Sequence, residues 1–141
     1  MWLSESSKVY EALGDYVHSL CHSQYLGTAR GSAVVYGEHR VSLTAEGGLP
    51  FISVFYSHCE LEVISVDGEN ALSVRMKPES VSYDGPSGAI EIVFPEMDGV
   101  LVVTLMGNRG LFRTIKGAVE SCGKRRGRRE FISSVLAEPV P

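Results

Sequence analysis

The sequence predicts an α+β fold with an N-terminal helix, an antiparallel β-meander of about five to seven strands and a C-terminal basic helix packed on the sheet. Two observations predict the elements: apolar residues recur with helical spacing near both ends, and they alternate with period two from residue 32 to residue 106. Short turn motifs between the strands predict antiparallel pairing, because parallel crossovers need a dozen or more residues. We expect one domain over residues 1–141.

The first helix is predicted over residues 4–26. Ser4 suits the N-cap, and Glu5 suits the positive end of the helix dipole. Gly27 is a plausible stop signal. The residues that recur every three or four positions are expected to face the core: Val9, Leu13, Tyr16, Val17, Leu20 and Cys21.

The middle of the chain contains seven predicted strands and a weaker one. The strands are residues 32–36, 40–44, 51–57, 59–66, 71–76, 89–94 and 100–106, and the weaker candidate is 80–83. Two hairpins are predicted from their turns. Asp67-Gly68 links strands 59–66 and 71–76, and Asp98-Gly99 links strands 89–94 and 100–106.

A second helix is predicted after Asn108, ending near Gly123. Its expected core face consists of Leu111, Ile115, Ala118, Val119 and Cys122, with Phe112 at the margin. The residues that follow, 130–141, are compatible with either a short helix or an edge strand.

Charge is distributed unevenly along the chain. Residues 1–108 contain 5 cations and 14 acids, a net charge of −9, whereas residues 109–141 contain 8 cations and 3 acids, a net charge of +5. Such asymmetry is typical of chains that bind nucleic acid or another anionic partner through one segment. The basic segment, residues 109–129, is therefore the first candidate for a functional surface.

By the 100° rotation of a helix, the polar side of this second helix carries Arg109, Arg113 and Lys116 with Glu120. A dense basic block follows, consisting of Lys124, Arg125, Arg126, Arg128 and Arg129. Arginine suits bidentate contact with phosphate. Three interpretations remain open: nucleic-acid phosphates, a solvated mobile loop, or an acidic protein partner.

Aromatic residues are the second requirement for holding single strands, because bases stack on them. The candidates for stacking are Tyr56, Tyr83, Phe112 and Phe131. The alternative is that the strand tyrosines are half-buried structural residues.

Signals for metal binding and catalysis are weak. Asp15, His18 and His22 follow the spacing i, i+3, i+7 on the first helix, but Glu11 shares this face, which looks like a solvated surface, and we expect no metal there. His58 and Cys59 are expected on a strand, where neighbours point to opposite faces. There is no P-loop and no G-x-G-x-x-G motif, so no cofactor and no enzymatic activity are expected.

Three cysteines without a C-x-x-C motif argue against a disulfide scaffold or a zinc ribbon. The chain has one glutamine, two asparagines, nine arginines and four lysines, which is compatible with a thermophilic source. In such a source one intracellular disulfide would not be surprising. The absence of a long apolar run and of a leader pattern predicts a cytoplasmic protein without a membrane span.

The stretch "GNRGLFRTIKGAVESCGKRRGRREF" (107–131) and the strand-rich middle resemble ThermoDBP and its relatives, a family of single-stranded-DNA-binding proteins of hyperthermophilic archaea. The resemblance is one of layout and composition. It implies sequence-independent binding of single strands by an oligomer, with basic and aromatic residues along the path.

We therefore expect a non-enzymatic protein, a homodimer, that binds single-stranded nucleic acid. DNA is favoured over RNA only by the resemblance. The alternative is a protein-interaction or assembly module whose basic segment binds an acidic partner.

Overall fold

The structure is a computed structural model that describes residues 6–37, 41–43, 49–68 and 70–136, with side chains described over 8–37, 49–68 and 71–122. Its elements are α1 (Ser6–His22), β1 (Gln24–Gly37), β2 (Val41–Leu43), β3 (Phe51–Ser57), β4 (Glu60–Asp67), β5 (Asn70–Met76), β6 (Ser80–Asp84), β7 (Ala89–Glu96), β8 (Gly99–Met106) and α2 (Arg109–Leu136).

The strands form one antiparallel sheet in the order β5-β4-β3-β1-β8-β7-β6, with short β2 paired to β1. The predicted α+β architecture and both predicted hairpins, β4–β5 and β7–β8, are confirmed. Two three-stranded meanders, β3–β4–β5 and β8–β7–β6, are joined through β1. The first part of β1 pairs with β3 over Gln24–Arg30, and the second pairs with β8 over Arg30–Gly37.

The predicted first helix was too long, because α1 ends at His22 and residues 24–26 already belong to β1. Small residues concealed this strand in the sequence: on the face that meets α2 it presents Gly27, Ala29, Gly31 and Ala33. A Cβ at Gly27 would crowd Leu111 of α2, and one at Gly31 would overlap the Thr104 carbonyl oxygen. The close approach of neighbours excludes the larger β-branched residues that usually signal a strand.

The two helices pack on opposite faces of the sheet, named here the α2 face and the α1 face. On the α2 face, one hydrophobic cluster joins residues from β1 and β3–β8 with Ile115 of α2. Leu72 near one sheet edge and Val81 near the other are both buried. A helix is about 10–12 Å across and strands lie about 4.8 Å apart. Burial at both edges therefore indicates that the core of this face extends beyond the width of α2.

The core face predicted for α1 is largely wrong. Ala12 and Ser19 are the buried residues, and Val9 and Tyr16 pack partly against the smaller cluster of the α1 face. Leu13, Val17 and Leu20 are instead 43%, 59% and 53% exposed, and Cys21 is exposed. Ser19 is tolerated at this buried position because its hydroxyl donates to the Glu62 carboxylate on β4.

The core face predicted for α2 is confirmed, since Ile115 is fully buried and the other predicted apolar residues pack against the same cluster. The predicted end of this helix was wrong. The helix does not stop at Gly123, and it continues as one element through Leu136. The stretch 130–136 is therefore the continuation of α2 rather than a separate helix or an edge strand.

Candidate nucleic-acid interface

The candidate surface begins at the N-terminus of α2. The Asn108 side chain caps the helix, since its Oδ1 accepts the Leu111 amide at 2.8 Å, and the Phe112 amide donates to the Asn108 carbonyl oxygen at 3.0 Å. The first bond satisfies one of the amides that the first turn leaves without an intrahelical partner, and the second is the first i→i−4 bond of the helix. They orient α2 from its first turn, so that Leu111 and Ile115 face the sheet.

The opposite side of α2 carries the predicted cations. Arg109 and Arg113 are exposed, and neither forms an ion pair with a described residue. Lys116 is partly buried, and its Nζ donates to the Val81 carbonyl oxygen of β6 at 3.3 Å. Two guanidinium groups therefore face solvent, while the lysine also ties α2 to the edge of the sheet. Exposed Glu120 is the acid on this side, as predicted.

Two of the predicted stacking residues lie beside these cations and stack on each other. The rings of Tyr83 on β6 and Phe112 on α2 lie 5.3 Å apart with 22° between their planes. Both are partly exposed and pack against the main core cluster. Each ring has one face covered by its neighbour, so contact with a base is limited to its remaining exposed surface.

Tyr56 does not belong to the candidate surface, contrary to the prediction from the sequence. It lies on the α2 face of β3, is only 9% exposed and belongs to the main core cluster. Both sides of the strand 51–57 are apolar in sequence, so the pattern did not show which tyrosine would be buried.

The remaining candidates belong to α2 by their backbone, and the structure does not describe their side chains. They are Lys124, Arg125, Arg126, Arg128, Arg129 and Phe131. The sequence predicted a loop after Gly123, and the structure shows a helix there instead. Their contribution to binding remains a prediction from the sequence.

A disulfide fixes α2 just before this basic block. Cys122 bonds to Cys59, across 63 residues of sequence, with their Cα atoms 5.3 Å apart. Cys59 lies in the two-residue turn between β3 and β4, where His58 and Cys59 have φ angles of 50° and 69°. This corrects the strand placement of the two residues, and positive φ at both positions is characteristic of the tight hairpin turns that match strand twist.

The disulfide was not predictable from the cysteine pattern alone. Three cysteines allow three pairings, and the bonded two lie far apart in sequence, while Cys21 is free and exposed. The signal that was available is the position of Cys122 on the predicted core face of α2, which indicates that its thiol points toward the sheet rather than toward solvent.

The candidate metal ligands of α1 are not assembled into a site. The Asp15 carboxylate accepts a hydrogen bond from Ser73 of β5 at 2.8 Å, and the rings of His18 and His22 contact each other at 4.5 Å between centroids. Over the described residues, no group of three or more His, Cys, Asp or Glu side chains is arranged to hold a metal ion.

No protein-family model matches this chain, and no curated protein or solved structure matches it. Within the described part of the chain, none of the helices is long and apolar enough to cross a lipid bilayer.

Proposed function

We propose that this protein binds single-stranded nucleic acid without catalysis, through the solvent side of α2 and the basic block that continues the helix. The observation that carries the proposal is the pair Arg109 and Arg113, exposed and without a carboxylate partner among the described residues. Unpaired guanidinium groups on one helix side provide the forked donors that phosphate oxygens accept.

The charge balance of the chain supports confinement of a strand to this helix. The rest of the protein, residues 1–108, has a net charge of −9, and repels a polyanion. Contacts to phosphates position a strand without reading its sequence, so binding is expected to be largely independent of sequence. The partly exposed rings of Tyr83 and Phe112 add apolar contact to a base near Arg113.

An acidic protein partner is the alternative occupant of the same surface, because it presents carboxylates to the same guanidinium groups. Nucleic acid is favoured by the density of cations in the sequence that follows: five within residues 124–129.

The test is fluorescence anisotropy of the full chain with labelled single-stranded DNA, duplex DNA and single-stranded RNA over a range of salt concentrations. If about five or six phosphates are contacted, log K against log salt falls with a slope near −4, at roughly −0.7 per phosphate. Arg125, Arg126, Arg128 and Arg129 replaced together by alanine should flatten the slope by roughly two to three units. Arg109→Ala with Arg113→Ala should flatten it by about one to one and a half units.

A matched control replaces two lysines elsewhere in the chain, Lys8→Ala with Lys77→Ala, and should leave the slope within about half a unit of the unsubstituted value. Thermal melts of all variants should agree closely, since exposed cations contribute little to folding. Wild-type affinity and slope in both arginine variants would exclude α2 as the interface. Absence of binding to all three nucleic acids would reject the proposal and leave the acidic protein partner.

A further inference from the structure

Exposed apolar side chains of this protein are concentrated on the α1 face. Ten large hydrophobic residues are exposed among those described, and eight of them lie on this face. Four are on α1 and four on the strands: Tyr10, Leu13, Val17, Leu20, Tyr25, Tyr36, Phe51 and Met106. The other two, Leu49 and Met97, are outside the strands and helices. Exposed apolar residues scattered at random are normal, but such concentration on one face marks an interaction surface.

The floor of this surface is the half of the sheet formed by β1, β8 and β7, named here the open half. Val34, Val102 and Val93 lie side by side across these three strands. The next row contains Tyr36, Val100 and Pro95 in the same register. These valines are only partly buried, and α1 packs mainly on β4 and β5 at the other half of the sheet.

The wall of the surface is one flank of α1. Leu13, Val17 and Leu20 fall within about 60° of one another around the helix, at roughly a right angle to the buried Ala12–Ser19 line. Leu13 borders a groove of about 230 Å³ whose strand residues, among them Phe51, belong to β3 and β4. This flank therefore faces β3, the strand that adjoins β1 at the border of the open half. The charged residues of the same helix, Lys8, Glu11 and Asp15, lie on the other flank, where Asp15 bonds to Ser73 of β5.

The size of the surface fits a second copy of this chain. Tyr10 lies on the side of α1 away from the sheet. At roughly 200 Å² for a fully exposed large side chain, the other seven residues together expose on the order of 700 Å². This approaches the ~800 Å² that each partner contributes to a standard stable interface.

We propose that the α1 face binds a second copy of the chain about a twofold axis, with the α1 flank of each copy packed on the open half of the other. One chain carries both complementary parts, an apolar helix flank and two adjacent apolar rows of the sheet that are only partly buried among the described residues, as a twofold interface requires. The depletion of charge on this flank is typical of the core of a protein interface. The arrangement leaves both α2 helices free, so it does not depend on nucleic-acid binding.

The experiment is sedimentation velocity on the full chain without nucleic acid, over a concentration series. The unsubstituted protein should be mainly dimeric at about 50 µM, as standard-sized interfaces have micromolar or tighter Kd values. Val17→Asp alters the wall and Val102→Lys alters the floor, and each should raise Kd at least about 100-fold, because two symmetric contacts are lost at once. Thr114→Asp is the matched control, since Thr114 is exposed on α2 at the opposite face of the sheet, and it should leave Kd unchanged.

Mixing Val17→Asp with Val102→Lys tests whether the α1 flank of one copy packs on the open half of the other, rather than on the α1 helix of the other. A mixed dimer has one unsubstituted contact and one contact in which the two substituted positions meet with opposite charges. Heterodimers should therefore form at least about tenfold more tightly than either variant alone. A monomeric unsubstituted protein at all concentrations, unchanged Kd in both variants, or no heterodimer on mixing would each overturn the proposal. Thermal melts show whether the variants remain folded, and Leu20→Glu replaces Val17→Asp if that chain is unfolded.

Discussion

The two faces of the sheet differ in how completely they are covered. On the α2 face, residues from seven strands and α2 form one buried cluster, and Ile115 has no access to solvent. On the α1 face, one helix covers half of the strands, and its own flank is exposed. The comparison shows that large apolar residues alone do not locate the core, because several of them are exposed on the α1 face. One face stabilises the fold, and we infer that the other is available for assembly.

The strongest test of this difference between the two faces is to introduce the same charge on each helix. Ile115→Asp buries a carboxylate in the main cluster, which costs several kcal/mol and should unfold a domain of ordinary stability, ~5–15 kcal/mol. Leu13→Asp places the charge at a site that is exposed in the single chain and, at protein concentrations where the chain is monomeric, should change the free energy of unfolding by less than about 1 kcal/mol. Urea denaturation followed by circular dichroism measures both. Equal destabilisation would show that the two faces are equally important to folding.

The disulfide belongs to the α2 face, and its removal should have the next largest effect. Cys59→Ser with Cys122→Ser removes a cross-link that closes 63 residues, for which chain entropy predicts about 4 kcal/mol of lost stability at 25 °C. Denaturation midpoints of the two proteins, measured without reductant, give the difference. Cys21→Ser is the control, because the exposed free thiol makes no such cross-link, and its midpoint should match that of the unsubstituted chain.

A smaller effect tests what holds α1 to its half of the sheet. Ser19→Ala removes the hydroxyl that donates to buried Glu62, leaving that carboxylate with Arg75 at 3.5 Å, and should cost about 1–3 kcal/mol. Ser23→Ala is a matched control one turn later, since the buried Ser23 Oγ has no hydrogen-bond partner among the described residues. It should be neutral or slightly stabilising. Destabilisation by Ser23→Ala equal to that by Ser19→Ala would mean that the Ser19–Glu62 bond is unimportant.

The sequence predicted the α2 face better than the α1 face for a physical reason. The stripe through Leu111 and Ile115 is long and apolar on one side only, so helical periodicity identified the buried side. On α1, large apolar residues occupy the exposed flank, and the buried side holds Ala12 and Ser19. A rule that places large apolar residues inside therefore selects the wrong side, because packing against β4 and β5 requires small residues and the partner of Ser19 lies 43 positions away.

For the candidate interface, local spacing correctly predicted that Arg109 and Arg113 would be exposed opposite the core face. It did not predict that Tyr56 would be buried or that Tyr83 would stack on Phe112, because both depend on contacts between distant segments. The cross-link between Cys59 and Cys122 depends in the same way on the fold as a whole.

The central position of β1 has a consequence for how the chain matures on the ribosome. The two meanders meet only through this strand, whose second half pairs with β8 from Arg30↔Met106 to Gly37↔Gly99. This part of β1 therefore stays without its β8 partner until more than sixty further residues have been synthesised. Native contacts so distant in sequence form slowly. Until β8 is synthesised, β1 has an unpaired edge in the nascent chain. Premature release or stalled translation in this interval therefore carries the greatest risk of incorrect strand pairing.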